Sequence, residues 1–171
     1  MMLYIIRGLP GTGKSTISRF LSRKHDAIVL SMDDIRKDFF DVDPGVKDAV
    51  FPNEKVDAMY ADLFASARNL IEQGINVIID ATLYAKTLVD EARAITPDSK
   101  LIQIICPEEE TLRRIKERLE QSSDGKYVAG QQVYEHVKSR TEMIHDPDVT
   151  IDTSKIDPGR LELHLREYKD L

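Results

Sequence analysis

Eight residues near the start, Gly8-Leu9-Pro10-Gly11-Thr12-Gly13-Lys14-Ser15, constrain the chain more than any other stretch, because they satisfy the pattern G-x-x-x-x-G-K-[ST]. Such a loop works at the junction of a buried strand and a helix. Its glycines let the backbone curl so that several N–H groups point at one anion, and the helix N-terminus adds partial positive charge. The flanks supply that junction. Leu3 to Ile6 is a short apolar run of the central parallel-strand type, and Ile17, Phe20 and Leu21 recur at helical spacing. Gly8, Gly11, Thr12 and Gly13 are therefore expected to shape a phosphate cradle, with Lys14 reaching the β- and γ-phosphates. Ser15 is expected to offer its hydroxyl to Mg²⁺, and Thr16 to add a phosphate contact.

Beyond the loop, strand and helix signals alternate. Ala27 to Leu30 reads as a second buried-type strand. Val56, Met59, Tyr60, Leu63, Phe64, Ala67, Leu70 and Ile71 make a helical stripe closed by Gly74. Val77 to Ile79, ending in Asp80, is a third strand, and Leu88, Val89, Ala92 and Ile95 mark a helix stopped before Pro97. Leu101 to Cys106 is a fourth strand, and Pro107 with Glu108, Glu109 and Glu110 starts a helix whose first turn suits the helix dipole. Val133, Val137, Arg140 and Ile144 predict a helix ended by Pro147, then a short strand over Val149 to Ile151. Asp157-Pro158 caps a final helix with Leu161, Leu165 and Tyr168. Residues 40–52 have no clean period and read as a loop or short irregular helix. Five strands alternating with helices predict an α/β fold, a five-stranded parallel sheet covered on both faces, within a single domain over 1–171.

Composition narrows the function classes. With 24 Lys and Arg against 30 Asp and Glu the net charge is -6, so a general nucleic-acid coat role is excluded and any such contact needs a local basic patch. The single cysteine, Cys106, excludes an internal disulfide, and beside Pro107 it reads as a buried thiol. No apolar run approaches a membrane span and the start lacks a basic leader, which predicts a cytoplasmic chain with no membrane partner. The four histidines are scattered and read as surface or packing residues.

Three further groups carry candidate chemistry. Asp80 ends a strand beside the phosphate loop, where a carboxylate can hold Mg²⁺ directly or through water. Asp33 and Arg36 follow the second strand, at the edge that faces the same crevice. Phosphoryl transfer to a hydroxyl calls for a carboxylate to take the hydroxyl proton, the role expected of Asp33. If Asp33 starts a helix, Arg36 lies one turn on, placed to grip an anion on the acceptor. Asp34 reads as solvated or capping. Thr111 to Arg118 carries four basic residues within six positions, with Leu112, Ile115 and Leu119 facing the core. Arg114 and Arg118 are four apart and share a face, so they are expected to close over transferring phosphates, Arg118 foremost.

Gly8–Ser15, Asp33-x-x-Arg36, Val77 to Thr82 and Arg114-x-x-x-Arg118 together resemble the small P-loop kinases that include the kinase domain of phage-type polynucleotide kinase; zeta-toxin-like and small-molecule kinases are relatives. The resemblance spans nearly the whole chain. It implies a P-loop NTPase fold of the adenylate-kinase-like three-layer type, with a helical lid over approximately 107–130. It also implies ATP as donor, with adenine near Thr153–Lys155. By the same resemblance Asp33 is the general base, Arg36 contacts the phosphate 3′ of the acceptor nucleoside, and Arg118 contacts ATP phosphates. The expected activity is thus an ATP- and Mg²⁺-dependent kinase acting on a hydroxyl, foremost the 5′-OH of a polynucleotide or nucleotide. The acidic balance, with Asp41, Asp43 and Asp48 near the expected acceptor cleft, keeps a small-metabolite, nucleotide-sugar or antibiotic kinase as an alternative. A P-loop NTPase switch is a further one. Nothing in the sequence specifies an oligomeric state.

Overall fold

The computed structural model describes residues 1–39, 53–121, 130–166, 168 and 171. Five strands alternate with helices: β1 (Leu3–Arg7), α1 (Lys14–His25), β2 (Ala27–Ser31), α2 (Met32–Phe39), α3 (Asn53–Glu72), β3 (Asn76–Ala81) and α4 (Lys86–Arg93). There follow β4 (Ser99–Ile105), α5 (Glu108–Gln121), α6 (Gln131–Arg140), β5 (Val149–Asp152), a 3-10 turn at Thr153–Lys155, another at Pro158–Arg160, and α7 (Leu161–Leu165). The strands form one parallel sheet in the order β2-β3-β1-β4-β5.

The apolar run of β1 serves two cores at once. Leu3 and Ile5 join Met59, Leu63 and Val89 from α3 and α4, whereas Tyr4 and Ile6 join Ile17 and Leu21 of α1 and Leu165 of α7. Successive residues of β3 split the same way, Val77 and Ile79 to one side and Ile78 to the other. That period of two, apolar on both faces, is what a central parallel strand requires, and it yields a three-layer α/β sandwich of the P-loop type. Each fully buried Leu or Ile side chain contributes about 1.5–3 kcal/mol relative to exposure, so the sheet interior dominates stability.

The register sets up the site. Asp80 lies opposite Ile6 on one side and Ser31 on the other. The loop after β1, the start of α2 and the end of β3 therefore open at one sheet edge, the carboxyl edge where α/β folds bind ligands.

Several local expectations change. β2 is an edge strand and only Ala27 is fully buried; Ile28 is 43% exposed. Its apolar run matches a central strand because its partners cover it unevenly, which sequence cannot reveal. The helix expected to run to Pro147 stops at Arg140, where Thr141 is already extended. Ile144 lies beyond it and still packs on the core. The final helix shrinks to five residues, although Asp157 caps the preceding turn by accepting from the Gly159 N–H at 2.9 Å. Cys106 is half-buried rather than buried. The 40–52 segment with Asp41, Asp43 and Asp48, and the 122–129 part of the expected lid, lie outside the described residues. Among the described residues no helix is long and apolar enough to cross a membrane.

Candidate active site

The loop between β1 and α1 is held open from within. Thr12 donates its hydroxyl to the Leu9 carbonyl at 2.8 Å and its N–H to the same oxygen at 3.3 Å. Gly11 has φ +80°, and a Cβ there would lie 2.8 Å from Ile115 of α5; only glycine meets both demands. Gly13 starts α1 at φ 94° and has no side chain to compete with an anion for the first N–H groups of the helix. Lys14 Nζ folds back onto the Leu9 carbonyl at 3.1 Å.

A cavity of about 310 Å³ opens in front of this loop. Gly11, Gly13, Lys14, Ser15 and Thr16 line it on one side, and Asp33, Arg36, Asp80, Thr82 and Arg118 face them, with Val133 and Val137 of α6 as an apolar wall. Lys14, Asp33, Arg36, Asp80 and Arg118, chosen from four separate stretches of sequence, thus meet in one place. Burial pushes the Lys14 ammonium down from its ordinary range, the Asp80 and Asp33 carboxylates push it back up, and Arg118 and Arg36 oppose them. Desolvation raises the Asp80 carboxyl above the usual carboxylate range, while Lys14 and the Ser15 and Ser18 hydroxyls draw it down.

Asp80 is 5% exposed. A buried carboxylate beside a serine hydroxyl is a hard-oxygen donor set, and it fits Mg²⁺, which takes one or two protein oxygens and keeps waters and phosphate oxygens for the rest. Among the described residues no cluster of three or more His, Cys, Asp or Glu is arranged to hold a metal on its own.

α2 begins at Met32, so Asp33 sits in its first turn. Ser31 supplies the local cap by accepting from the Asp33 N–H at 3.2 Å. Arg36 NH1 donates to Asp33 Oδ1 at 3.0 Å, the i,i+3 geometry of one helical turn. The Arg36 side chain is largely covered, at 17% exposure, while the Asp33 side chain is 59% exposed, and both line the cavity.

A second cavity of about 490 Å³ adjoins the first and shares Gly11, Gly13, Thr16 and Arg118 with it. Its remaining lining comes from Ile17, from Glu110, Arg113, Arg114, Glu117 and Gln121 of α5, and from Thr153, Ser154, Ile156 and Leu161. The two arginines expected to act together separate here. Arg118 stands exposed at the junction of the two cavities, whereas Arg114 is bound by Glu110 at 2.7 Å and by the Thr153 hydroxyl and carbonyl at 3.0 and 3.2 Å. Arg113 is held by Glu110 and Glu117.

Some lining residues escape a sequence reading. Arg19 lies four residues after Ser15 on α1, a spacing that carries the signal. Val133 and Val137 read as core stripe, and nothing in sequence shows that they also wall a cavity. Thr153, read only as part of a base-binding loop, proves to be a tie to the phosphate loop through its bond to the Thr12 carbonyl.

A family model described as an AAA domain, AAA_33, matches residues 3–143, which takes in the loop, Asp33, Arg36, Asp80, Arg114 and Arg118. The chain belongs to this AAA-domain family. Proteins of Mycobacterium bovis and Mycobacterium tuberculosis, described as uncharacterized, are 33% identical to it over 112 residues, covering 61% of this chain. The match spans 22% of those relatives' length. A sugar kinase from Janibacter sp. HTCC2649 superposes with a TM-score of 0.72 at 16% identity, covering 99% of this chain and 95% of that one. An APS kinase of Mycobacterium tuberculosis in complex with AMPPNP and APS gives 0.67 at 16% identity, covering 99% and 98%. The Pnkp1/Rnl/Hen1 RNA repair complex gives 0.62 at 23% identity over 91% of this chain and 50% of that one. The AAA_33 chain thus has a P-loop kinase-like fold, shared by kinases with different acceptors.

Proposed function

We propose that the chain is an ATP- and Mg²⁺-dependent kinase that transfers the γ-phosphoryl group to a hydroxyl acceptor. The observation that carries this reading is the pair of adjoining cavities that share the phosphate loop and Arg118. One is suited to a nucleoside, and the other presents a carboxylate, Asp33, where no donor phosphate needs one. ATP places its base beside Ser154 and Ile156 and its phosphates across the loop, with Lys14 at the β- and γ-phosphates. The acceptor oxygen attacks the γ-phosphorus as the bond to the β-bridging oxygen breaks. ADP leaves, and the hydroxyl proton passes to the Asp33 carboxylate. Arg118 meets the charge that spreads over the phosphoryl oxygens in flight. Mg²⁺, held by Ser15 and Asp80, would offset charge on the donor phosphates. A switch-type NTPase needs no acceptor base, so Asp33 favours transfer.

For the acceptor, Arg36 supports a hydroxyl compound that also carries an anion, as the 5′-OH end of a nucleotide or polynucleotide does. A small-metabolite acceptor is the second reading. The size of the cavity, about 310 Å³, and the net charge of -6 both favour it over a long polyanion. ATP turnover with and without a nucleoside 3′-phosphate, a 5′-hydroxyl oligonucleotide, sugars and nucleotide sugars tests the proposal. Stimulation by an acceptor is expected, and slow hydrolysis indifferent to all of them would point to a switch.

A further inference from the structure

The last residue of β1 is an arginine in a place built for an aliphatic side chain. Arg7 directly precedes Gly8 and is 3% exposed, in a strand whose other inward residues are Leu3, Tyr4, Ile5 and Ile6. A buried guanidinium is costly unless its donors are matched, and an apolar side chain of similar volume would often serve stability as well or better. What Arg7 gains is reach. Its Nε donates to the Leu83 carbonyl at 2.8 Å, NH1 to the Gln103 side chain at 2.6 Å, and NH2 to the Glu142 carbonyl at 2.6 Å.

Both backbone partners continue segments that line the acceptor cavity. Leu83 follows Asp80, Ala81 and Thr82, which line it, and holds a left-handed φ of 48°. Glu142 stands two residues past α6, whose Val133 and Val137 form the apolar wall. The two segments are also joined to each other: the Glu142 N–H donates to the Tyr84 carbonyl at 2.7 Å, and the Lys86 N–H to Glu142 Oε2 at 2.5 Å. The result is a closed ring of hydrogen bonds from β1 through 83–86 to 142 and back, with Arg7 as the member rooted in the central strand.

We propose that Arg7 is a positioning residue, which fixes the α6 wall of the acceptor cavity relative to the phosphate loop. This rests on the kinase reading for its catalytic consequence. β1 is held by ladders to β3 and β4, and β3 is held by the same ladder through Ala81, so loss of the Arg7 side chain leaves the loop and Asp80 in place and frees the 83–86 segment and the wall. An acceptor effect without a donor effect follows.

Arg7→Met keeps the volume and removes every donor; Arg7→Lys keeps the charge but presents one ammonium to three acceptors. Each is compared with the unmutated protein by steady-state kinetics and by amide exchange without substrate. In Arg7→Met the acceptor KM is expected to rise about tenfold or more while the ATP KM stays within about twofold, with Arg7→Lys between. Exchange at the Glu142 and Lys86 amides is expected to quicken by a similar factor. A lower melting temperature with both KM values and both amides unchanged would overturn the proposal and leave Arg7 a structural residue. If Arg7→Met does not fold, Arg7→Lys carries the test: a smaller rise in the acceptor KM alone and quicker exchange at the Glu142 amide are expected, and unchanged values would again overturn the proposal. Should the unmutated protein phosphorylate no acceptor, the kinase reading fails, and the exchange data alone decide what Arg7 holds.

Discussion

The Thr153 hydroxyl donates to the Thr12 carbonyl at 2.7 Å and accepts from Arg114 at 3.0 Å, so one oxygen ties the exit of the last strand to the phosphate loop and to α5. Thr153→Val keeps the shape and leaves the Thr12 carbonyl without that donor and the arginine without that acceptor. A loss of about 1–3 kcal/mol is expected, seen as a fall of several degrees in Tm. The ATP KM should rise roughly tenfold, because a looser loop pays part of its ordering on binding. Unchanged Tm and ATP KM would show that the tie is incidental.

Asp33 and Arg36 are bonded to each other, yet their substitutions should separate. Asp33→Asn removes the proton acceptor and is expected to lower kcat by about 10²–10⁴ for every acceptor. Arg36→Ala should instead erase the preference for a nucleoside 3′-phosphate over the bare nucleoside, an effect of roughly ten- to a hundredfold in kcat/KM. Equal use of the two by the unmutated protein would move the acceptor to the small-metabolite class.

Arg118 is exposed at the cavity junction, whereas Lys14 is half-buried within the loop. Arg118→Ala should therefore lower kcat more than it raises the ATP KM, since its charge matters most in the transition state. Lys14→Ala should abolish transfer in a protein that still folds. An Arg118→Ala effect confined to the ATP KM would make that residue a ground-state contact.

Glu110 accepts hydrogen bonds from Arg113 and Arg114, which hold its carboxyl at about 2, well below the usual carboxylate range. A depressed folded value means that its contribution is complete above the unfolded pKa of about 4.5 and fades as pH falls toward 2. Melting curves of the unmutated protein and of Glu110→Gln should differ at neutral pH and converge over that acid range. Curves that stay parallel to the lowest pH would show that the cluster adds nothing to folding.

The sheet was legible because β1 and β3 are buried on both faces, and burial on both faces leaves an unbroken apolar run. The phosphate loop was legible because an eight-residue anion cradle has few solutions. Asp33 with Arg36 was half-legible: their spacing predicted one face of a helix, but not that they bond each other. β2 was misread since an edge strand can carry the same Ile-Val-Leu string as a central one. The end of α6 was misread since Ile144 keeps the apolar period after the backbone has left the helix. Arg7 was not legible as a partner of anything, and Thr153 only as part of a base-binding loop. Their roles lie in bonds to carbonyls 76 to 141 residues away, and a carbonyl has no signature in the sequence.

The most direct test is transfer of a labelled γ-phosphate from ATP with Mg²⁺ to a hydroxyl acceptor, by the unmutated protein and by Asp33→Asn side by side. Label should appear on an acceptor with the unmutated protein, fall by about 10²-fold or more with Asp33→Asn, and vanish when Mg²⁺ is chelated. Label released only as inorganic phosphate, at one rate whatever acceptor is present and in both proteins alike, would contradict a kinase with Asp33 as its base.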